Sequence, residues 1–218
     1  MSSTASGYIH GTSGEEQERL AWMNRLLNEQ ELAAIAPRGD EHALELGAGT
    51  GIFARALAGR LAHGSVLALE LDERQLARAR AGAERPANLE LRQGDVLAPP
   101  LGAHEWGSFD LVHARFLLEH LTEPARAVAV MARAVRPGGR VVLVDDDHDT
   151  LRLWPAAPAF GRLWRAYCGE YERRGMDPWI GRRLAGLAHV AGLEPLDARM
   201  LFFGACAGME LFPTVMGN

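Results

Sequence analysis

Short apolar runs alternate with apolar stripes at helical spacing through the middle of the chain, between residues 43 and 144. A short apolar run predicts a buried strand, whereas apolar residues recurring every three or four positions predict a helix that packs on one side. The predicted strands are Ala43–Leu46, Ser65–Leu69, Leu89–Arg92, Phe109–His113 and Val141–Val144. The last of these is nearly all β-branched, which predicts burial on both faces.

Helices are predicted between the strands. The first is Ile52–Leu61, and the second follows the capping pair Asp72 and Gln75 and continues to Ala83. The third has Thr122 as its hydroxyl cap and Pro124 in its first turn, and Pro137-Gly138-Gly139 ends it. Strand and helix therefore alternate without interruption. This alternation predicts an α/β fold, a doubly wound, mainly parallel sheet flanked by helices, whose ligands bind at the carboxyl ends of the strands.

Two helical regions flank this predicted core. Ser13 and Glu16 have capping-box spacing, and the apolar stripe behind them predicts a long N-terminal helix to about Ala36. Beyond the fifth strand, residues 155–174 and 179–191 predict a helical cap, and residues 196–205 predict a further strand. We expect four regions: an N-terminal arm and helix that form a lid (1–38), the core (39–150), the cap and substrate region (151–192), and a sixth strand with a shortened C-terminus (193–218).

Three glycines in five positions, Gly47, Gly49 and Gly51, separate the first predicted strand from the first predicted helix. Glycine lets the chain turn sharply and lets a ligand approach the main chain, so the segment is typical of a nucleotide-binding loop. A dinucleotide fold has the pattern G-x-G-x-x-G, and here the third glycine comes one position early. This spacing argues against a bound pyrophosphate, although a tight turn without any ligand also uses glycine.

Two acidic residues follow the second and third predicted strands. Glu70 comes 23 residues after Gly47 and ends the second strand, where a carboxylate can accept both ribose hydroxyls of an adenosine. The alternative is an ordinary surface acid. Asp95, in Gly94-Asp95-Val96, follows the third strand and could equally cap a turn.

Several of these segments together resemble a known enzyme family. E-x-G-x-G-x-G, beginning at Glu45, resembles motif I of the class I S-adenosylmethionine-dependent methyltransferases, which share a Rossmann-like fold. F-D-L-V-H-A-R-F-L-L-E-H-L and R-A-V-R-P-G-G-R-V-V-L-V-D-D-D resemble the region that follows in bacterial small-molecule methyltransferases of the ubiquinone/menaquinone-methyltransferase-like superfamily. The resemblance covers about Asp40 to Asp147.

The resemblance implies that the cofactor is S-adenosyl-L-methionine and the product S-adenosyl-L-homocysteine. It places the acid of Asp95 on the exocyclic amine of adenine, Val96 against the ring, and His113 beside the methionine portion. The expected cofactor-binding residues are Tyr8, Glu45, Gly47, Ala48, Gly49, Gly51, Glu70, Leu71, Gln75, Gly94, Asp95, Val96, His113 and Arg115. Tyr8 and His10 could fold over the cofactor and exclude water.

Methyl transfer is a displacement at the sulfonium carbon, so holding the reactants in line can lower the activation barrier by ~7–11 kcal/mol. A general base adds a rate factor of about 10²–10⁴ when the acceptor loses a proton. The candidate catalytic residues are His148, His120 and His113, of which His148 is our first choice for substrate contact. His120 could simply pack under a helix. Asp145, Asp146, Asp147 and Asp149 could be a magnesium site, but adjacent acids cannot all converge from one extended segment, so we expect no metal.

Composition excludes several other classes. All 23 basic residues are arginine, so there is no lysine for a Schiff base, a pyridoxal phosphate anchor or a P-loop. The net charge of −5 makes nucleic-acid binding unexpected. Since no run of eighteen apolar residues and no secretory signal is present, we expect a cytoplasmic protein with buried thiols at Cys168 and Cys206.

The predicted function is methyl transfer to a small molecule, and the many aromatic residues after the core favour an aromatic natural product or other secondary metabolite. The alternatives are a SAM-binding protein without catalysis and, less favoured, an NAD-dependent dehydrogenase. No D-P-P-Y-like sequence of a DNA amino-methyltransferase follows strand four. Relatives have a seventh strand that the short C-terminus lacks, so we expect either a homodimer that completes the sheet or an open edge.

Overall fold

A computed structural model describes residues 27–82 and 86–201 of the chain. The predicted arm with Tyr8 and His10, the capping pair Ser13 and Glu16, and Cys206 lie outside the described residues. Cys168 is buried, as predicted.

Five parallel strands form one sheet, in the order β3-β2-β1-β4-β5. The strands are β1 (His42–Leu46), β2 (Ser65–Glu70), β3 (Leu89–Gln93), β4 (Phe109–Arg115) and β5 (Val135–Val144). In the central register, Leu44 pairs with Leu67 on one side and with Val112 on the other. The strand order changes direction at β1, and the predicted doubly wound α/β sheet is confirmed.

Six helices accompany the sheet in the described ranges. They are α1 (residues 27–35), α2 (Ile52–Ala58), α3 (Glu73–Ala81), α4 (Pro124–Ala134), α5 (Pro158–Arg173) and α6 (Leu184–Val190). Short 3-10 turns lie at Leu118–His120, His148–Thr150 and Ile180–Arg183. None of these described helices is long and apolar enough to cross a membrane.

The core has two layers because successive residues of a strand face opposite sides of the sheet. Ala43 joins the cluster that includes Phe53 and Leu57 of α2, whereas Leu44 and its neighbours on that face pack against Met131 of α4. Burial of β1 on both faces explains why Ala43, Leu44 and Leu46 are all apolar, with Glu45 as the exception.

Several predicted helix ends are wrong. Helix α2 ends at Ala58 and α3 at Ala81, short of the predicted Leu61 and Ala83. Asp72 caps α3 as predicted, by accepting from the backbone N–H groups of Arg74 and Gln75.

Helix α4 begins and ends differently from the prediction. Its N-cap is Glu123, with no side-chain capping bond, so Thr122 is not the hydroxyl cap, although Pro124 does lie in the first turn. The segment Pro137-Gly138-Gly139 lies within β5 instead of closing the helix, because the chain turns extended at Val135 and already pairs with Phe109.

The last two predicted strands differ as well. Val141–Val144 is only partly buried, because β5 is the edge of the described sheet and pairs with β4 alone. Of the predicted strand 196–205, residues 196–201 are described, and they form no strand and pair with no neighbour among the described residues. Their large side chains are exposed, with Leu196 81% accessible. Apolar residues alone cannot make a strand without a partner for its backbone.

The predicted cap follows β5 as two helical segments. Helix α5 covers most of residues 155–174, and the predicted helix at 179–191 is divided into a 3-10 turn and the short α6. The pair lies beyond the carboxyl ends of the strands, where a substrate-covering element is expected.

Candidate active site

The glycine loop joins β1 to α2 at the carboxyl edge of the sheet. Gly47, Gly49 and Gly51 have φ values of +72°, +55° and +69°, in the left-handed region that favours glycine. A Cβ on Gly47 would lie 2.9 Å from Cδ1 of Leu117, whereas a Cβ on Gly49 would meet nothing within 4 Å. The main chain is therefore covered at Gly47 and open to a ligand at Gly49.

Glu70 ends β2 beside this loop, and both of its carboxylate oxygens are engaged by backbone. Oε2 accepts from the N–H of Gly49 at 2.7 Å, and Oε1 accepts from the N–H of Asp72 at 2.8 Å. The side chain thus fastens the loop to the strand tip. The contact of Glu70 with ribose hydroxyls stays a prediction. Such a contact requires the Glu70 carboxylate to accept hydrogen bonds from the ribose in addition to its two backbone bonds.

The segment after β3 lies next to Glu70. The N–H of Gly94 donates to the Glu70 carbonyl at 3.0 Å, and a Cβ on Gly94 would lie 2.4 Å from Cδ of Pro100. Asp95 is exposed, and its Oδ1 accepts from the N–H of Leu97 at 2.8 Å, so it does cap a turn. Val96 is buried in the core.

Leu71 and Gln75 complete this side of the loop. Leu71 is 61% exposed directly after Glu70, which gives an apolar surface beside the loop. The side-chain amide oxygen of Gln75, Oε1, is buried and has no hydrogen-bond partner in the described part of the chain. Both observations suit an occupant that carries a flat ring and polar edges.

His113, near the end of β4, is fully buried. Its Nε2 donates to Oε1 of Glu31 at 2.6 Å, and its ring stacks on Phe53 with centroids 4.2 Å apart. Burial lowers the pKa of His113, and the nearby Glu31 does not fully offset that effect. The ring is therefore a neutral, positioned group.

Glu31 of α1 also holds Arg115, through an NH1–Oε2 bond of 2.6 Å. Asn28, one helical turn earlier, accepts from NH2 of the same guanidinium at 2.9 Å. Burial raises the pKa of Glu31, but the bonds and charges of His113 and Arg115 outweigh it, so the pKa is lowered overall. An ion-paired network thus joins the N-terminal helix to the end of β4.

Glu45, inside β1, is the least satisfied acid of this region. It is 4% exposed, and its Oε2 has no hydrogen-bond partner among the described residues. Its Oε1 lies 4.0 Å from Nδ1 of His113. Burial, opposed by Arg115 and assisted by the charges of Glu31 and Glu70, raises the pKa of Glu45 to about 8.

Several known proteins are similar to this chain in sequence. Residues 44–143 match a family described as a methyltransferase domain. A ubiquinone biosynthesis O-methyltransferase of Ralstonia nicotianae is 28% identical over 181 residues, covering 81% of this chain and 73% of that protein. A 37.1 kDa protein in transposon TN4556 of Streptomyces fradiae is 34% identical over 163 residues, covering 74% of this chain and 46% of that protein. The chain thus spans less than half of the Streptomyces relative.

Solved structures of methyltransferases have a similar fold. A SAM-dependent methyltransferase from Aquifex aeolicus superimposes with a TM-score of 0.61 at 16% identity, covering 84% of this chain and 89% of that one, which supports the fold. An arsenic(III) S-adenosylmethionine methyltransferase from Chlamydomonas reinhardtii gives a TM-score of 0.51 at 25% identity, covering 72% of this chain and 53% of that one. Residues 44–143 thus match the methyltransferase domain, and the described residues have the fold of the class I S-adenosylmethionine-dependent methyltransferases. The family cofactor is S-adenosylmethionine, as the motifs predicted.

The glycine loop fits that cofactor on two observations. Gly49 leaves the main chain open to a ligand, and Oε2 of Glu45 is a buried carboxylate oxygen without a partner in the described ranges. S-adenosylmethionine carries an ammonium group and a sulfonium, and a buried acid is the group that would favour such charges. The site therefore has an open backbone and an unsatisfied acid where the motifs place the cofactor.

The second predicted histidine group lies after β4 and β5. Nε2 of His148 donates to Oε2 of Glu119 at 2.8 Å, and both residues are buried. Nε2 of His120 lies 3.5 Å from Oε1 of the same Glu119, and its ring stacks on Tyr171. The structure thus brings His148 and His120 together on one carboxylate, while His113 lies apart in the network of α1.

Aromatic side chains of α5 enclose His148. The rings of Trp164, Tyr167 and Tyr171 each lie 5.4 Å from its imidazole, and the indole N–H of Trp164 donates to the His148 carbonyl at 2.6 Å. Burial lowers the pKa of His148, but the hydrogen bond and charge of Glu119 outweigh it, so the pKa is raised above its usual value.

The acids after β5 do not form the magnesium site that was considered and not favoured. Oδ2 of Asp145 accepts from the N–H of Leu118 at 2.8 Å, and Asp147 and Asp149 both pair with Arg182. The described residues that could hold an ion are instead Glu119, Asp146 and His148, whose ligand atoms lie within 4.8 Å of one another. Burial and the charge of Glu119 raise the pKa of Asp146 to about 6.

Two important acids were missed by the sequence reasoning. Glu31 lies four residues after Leu27 and four before Ile35, so it occupies the buried stripe of its helix, and that spacing was a usable signal. Glu119 directly precedes His120 in the apolar stretch F-L-L-E-H-L. An acid inside such a stretch is rarely buried without a partner.

Proposed function

We propose that the chain transfers a methyl group from S-adenosylmethionine to a small-molecule acceptor that binds between the glycine loop and α5. The observation that carries this proposal is the buried Glu119–His148 pair at the same sheet edge as the loop. The Leu117 side chain covers Gly47, so the segment that carries Glu119 adjoins the loop. A small-molecule acceptor also fits the name of the Ralstonia relative, a ubiquinone biosynthesis O-methyltransferase.

The residues divide into two groups in this proposal. Glu45, Glu70 and Gly49 hold the cofactor, which when bound supplies an electrophilic methyl group on a sulfonium. His113 and Arg115 position that end of the sheet through Glu31.

His148 is the proposed general base. Because Nε2–H donates to Glu119, Nδ1 is the nitrogen left to accept the proton that a hydroxyl acceptor loses as its oxygen gains the methyl group. Glu119 keeps the imidazole in that tautomer and stabilises the imidazolium that results. His120 is a positioning residue that shares the same carboxylate.

The experiment measures methyl transfer to a panel of phenols and catechols, together with binding of S-adenosylhomocysteine by calorimetry. His148→Ala should lower kcat by about 10²–10⁴ with an unchanged cofactor affinity. His63→Ala is the matched control, since His63 is exposed and outside the site. Unchanged turnover in His148→Ala would remove His148 from the mechanism, and cofactor binding with no transfer to any acceptor would contradict the proposed activity and favour a non-catalytic SAM-binding protein.

The pH profile gives an independent readout. A base must be unprotonated, and the pKa of His148 is raised, so kcat should fall on the acid side with a midpoint above about 6.5, the ordinary histidine value. Glu119→Gln removes the charge that raises this pKa and should move the midpoint to lower pH. A midpoint that does not move between the two proteins would argue against the pair.

A further inference from the structure

A cavity of about 400 Å³ lies beside α5, formed by residues 149–165. Its size lies within the range of small-molecule sites. Leu151, Phe160 and Trp164 contribute an apolar wall, and the side chains of Arg152 and Arg165 also line it. Neither the glycine loop nor the Glu119–His148 pair contributes to this cavity.

The aromatic wall connects the cavity to the proposed base. Phe160 and Trp164 are stacked, with ring centroids 5.7 Å apart and planes 16° apart. The same indole donates its N–H to the His148 carbonyl and lies edge-on to the imidazole. A molecule lying against Trp164 would therefore be separated from His148 by a single side chain.

The charge in the cavity is positive and uncompensated. Within the described ranges, Arg165 forms no ion pair, and Arg152 donates a hydrogen bond from NH1 to the Leu151 carbonyl at 2.8 Å. Asp149, the one acid of the lining, is already paired with Arg182 at 2.9 Å. Two arginines without an ion-pair partner among the described residues therefore line the cavity, in a protein whose net charge is −5.

We propose that this cavity binds the distal part of the acceptor as an aromatic carboxylate, with its ring against Phe160 and Trp164 and its carboxylate between Arg152 and Arg165, while the part that receives the methyl group extends past Trp164 toward His148 and the glycine loop. The inference rests on the proposed function and adds the chemical class of the acceptor. Guanidinium groups suit a carboxylate because their planar N–H groups match its two oxygens. A flat ring gains from offset stacking on an aromatic wall.

The test uses 2-naphthoate as the probe and 2-naphthamide as its neutral counterpart, each titrated by calorimetry into the full chain saturated with S-adenosylhomocysteine. Arg152→Gln/Arg165→Gln should weaken 2-naphthoate binding by about tenfold and leave 2-naphthamide unchanged. Arg162→Gln is the control, because Arg162 is exposed on the same helix and outside the lining. We expect that control to bind both probes as the wild type does.

Equal affinity for the two probes, or an unchanged 2-naphthoate affinity in the double variant, would overturn the proposal. A failure of the proposed methyl transfer and a failure of the proposed carboxylate site give different results. Charge-dependent 2-naphthoate binding without any methyl transfer would leave the cavity assigned and refute the activity. Methyl transfer to phenolic carboxylates with a KM that the double variant does not change would leave the activity and refute the cavity.

Discussion

The buried acid Glu45 makes the stability of the apo protein depend on pH in a predictable direction. Its pKa is raised to about 8 in the folded chain from an ordinary 4.5, mainly by burial. The folded state therefore binds a proton that the unfolded state releases. The stabilisation that results is fully present below about pH 4.5 and is lost as the pH rises toward 8.

The size of this effect follows from the shift. Each pKa unit corresponds to about 1.4 kcal/mol, so Glu45 should remove about 4 kcal/mol from the free energy of unfolding between about pH 5 and pH 9. Glu45→Gln keeps the shape of the protonated acid and cannot ionise. The variant should match the wild type near pH 5 and exceed its stability by about 4 kcal/mol near pH 9.

Urea unfolding of both proteins at a series of pH values measures the difference directly. Other shifted groups, such as Asp146 and His148, are present in both proteins, so their contributions cancel in the comparison. Parallel stability curves for the two proteins would refute the reasoning. Saturating S-adenosylhomocysteine gives a second check, because an ammonium group held by Glu45 would lower its pKa and reduce the loss in the wild type.

Two further substitutions test other contacts. Glu31→Ala removes a buried acid that bonds both His113 and Arg115 and should cost about 3–5 kcal/mol in urea unfolding. Glu29→Ala, at a carboxylate that is 76% exposed, should change stability by less than about 1 kcal/mol. Equal losses in the two variants would show that the bonds of Glu31 contribute nothing. Gly94→Ala places a Cβ 2.4 Å from the ring of Pro100 and should lower the melting temperature by at least about 4 °C. Gly186→Ala, in α6 with open space around it, is the control and should raise the melting temperature slightly. A Gly94→Ala protein as stable as the wild type would show that the segment around Gly94 moves freely.

Patterns in the sequence predict this fold well where burial is complete on both faces. In β2, residues 66–69 form an unbroken apolar run, and β1 is apolar from Ala43 to Leu46 except for Glu45, because helices cover the sheet on either side. The position of Glu70 follows from the end of that run. Its two bonds to backbone do not, because they depend on how the glycine loop folds back over the strand tip.

The features that the sequence patterns do not predict depend on contacts between residues far apart in the chain. Nothing local to Glu31 shows that it meets His113, which lies 82 positions further on. The extent of β5 depends on pairing with β4, which begins at Val135, well before the β-branched run. The predicted strand at 196–205 has the composition of a strand, but composition does not supply the neighbour to which its backbone must bond.

The docking of α1 has a consequence for the order in which the protein assembles. This helix leaves the ribosome before the sheet, yet its anchors lie on strands made later: Glu31 contacts β4, and the Ile35 carbonyl accepts from Arg140, 105 positions further along. Closing such long loops is slow relative to local helix formation. Leu32 and Ile35 pack with residues made earlier, such as Phe53 and Leu57, but the polar anchors of the helix are complete only once β5 has been synthesised. Until then the helix is incompletely docked, which favours aggregation of the unfinished chain.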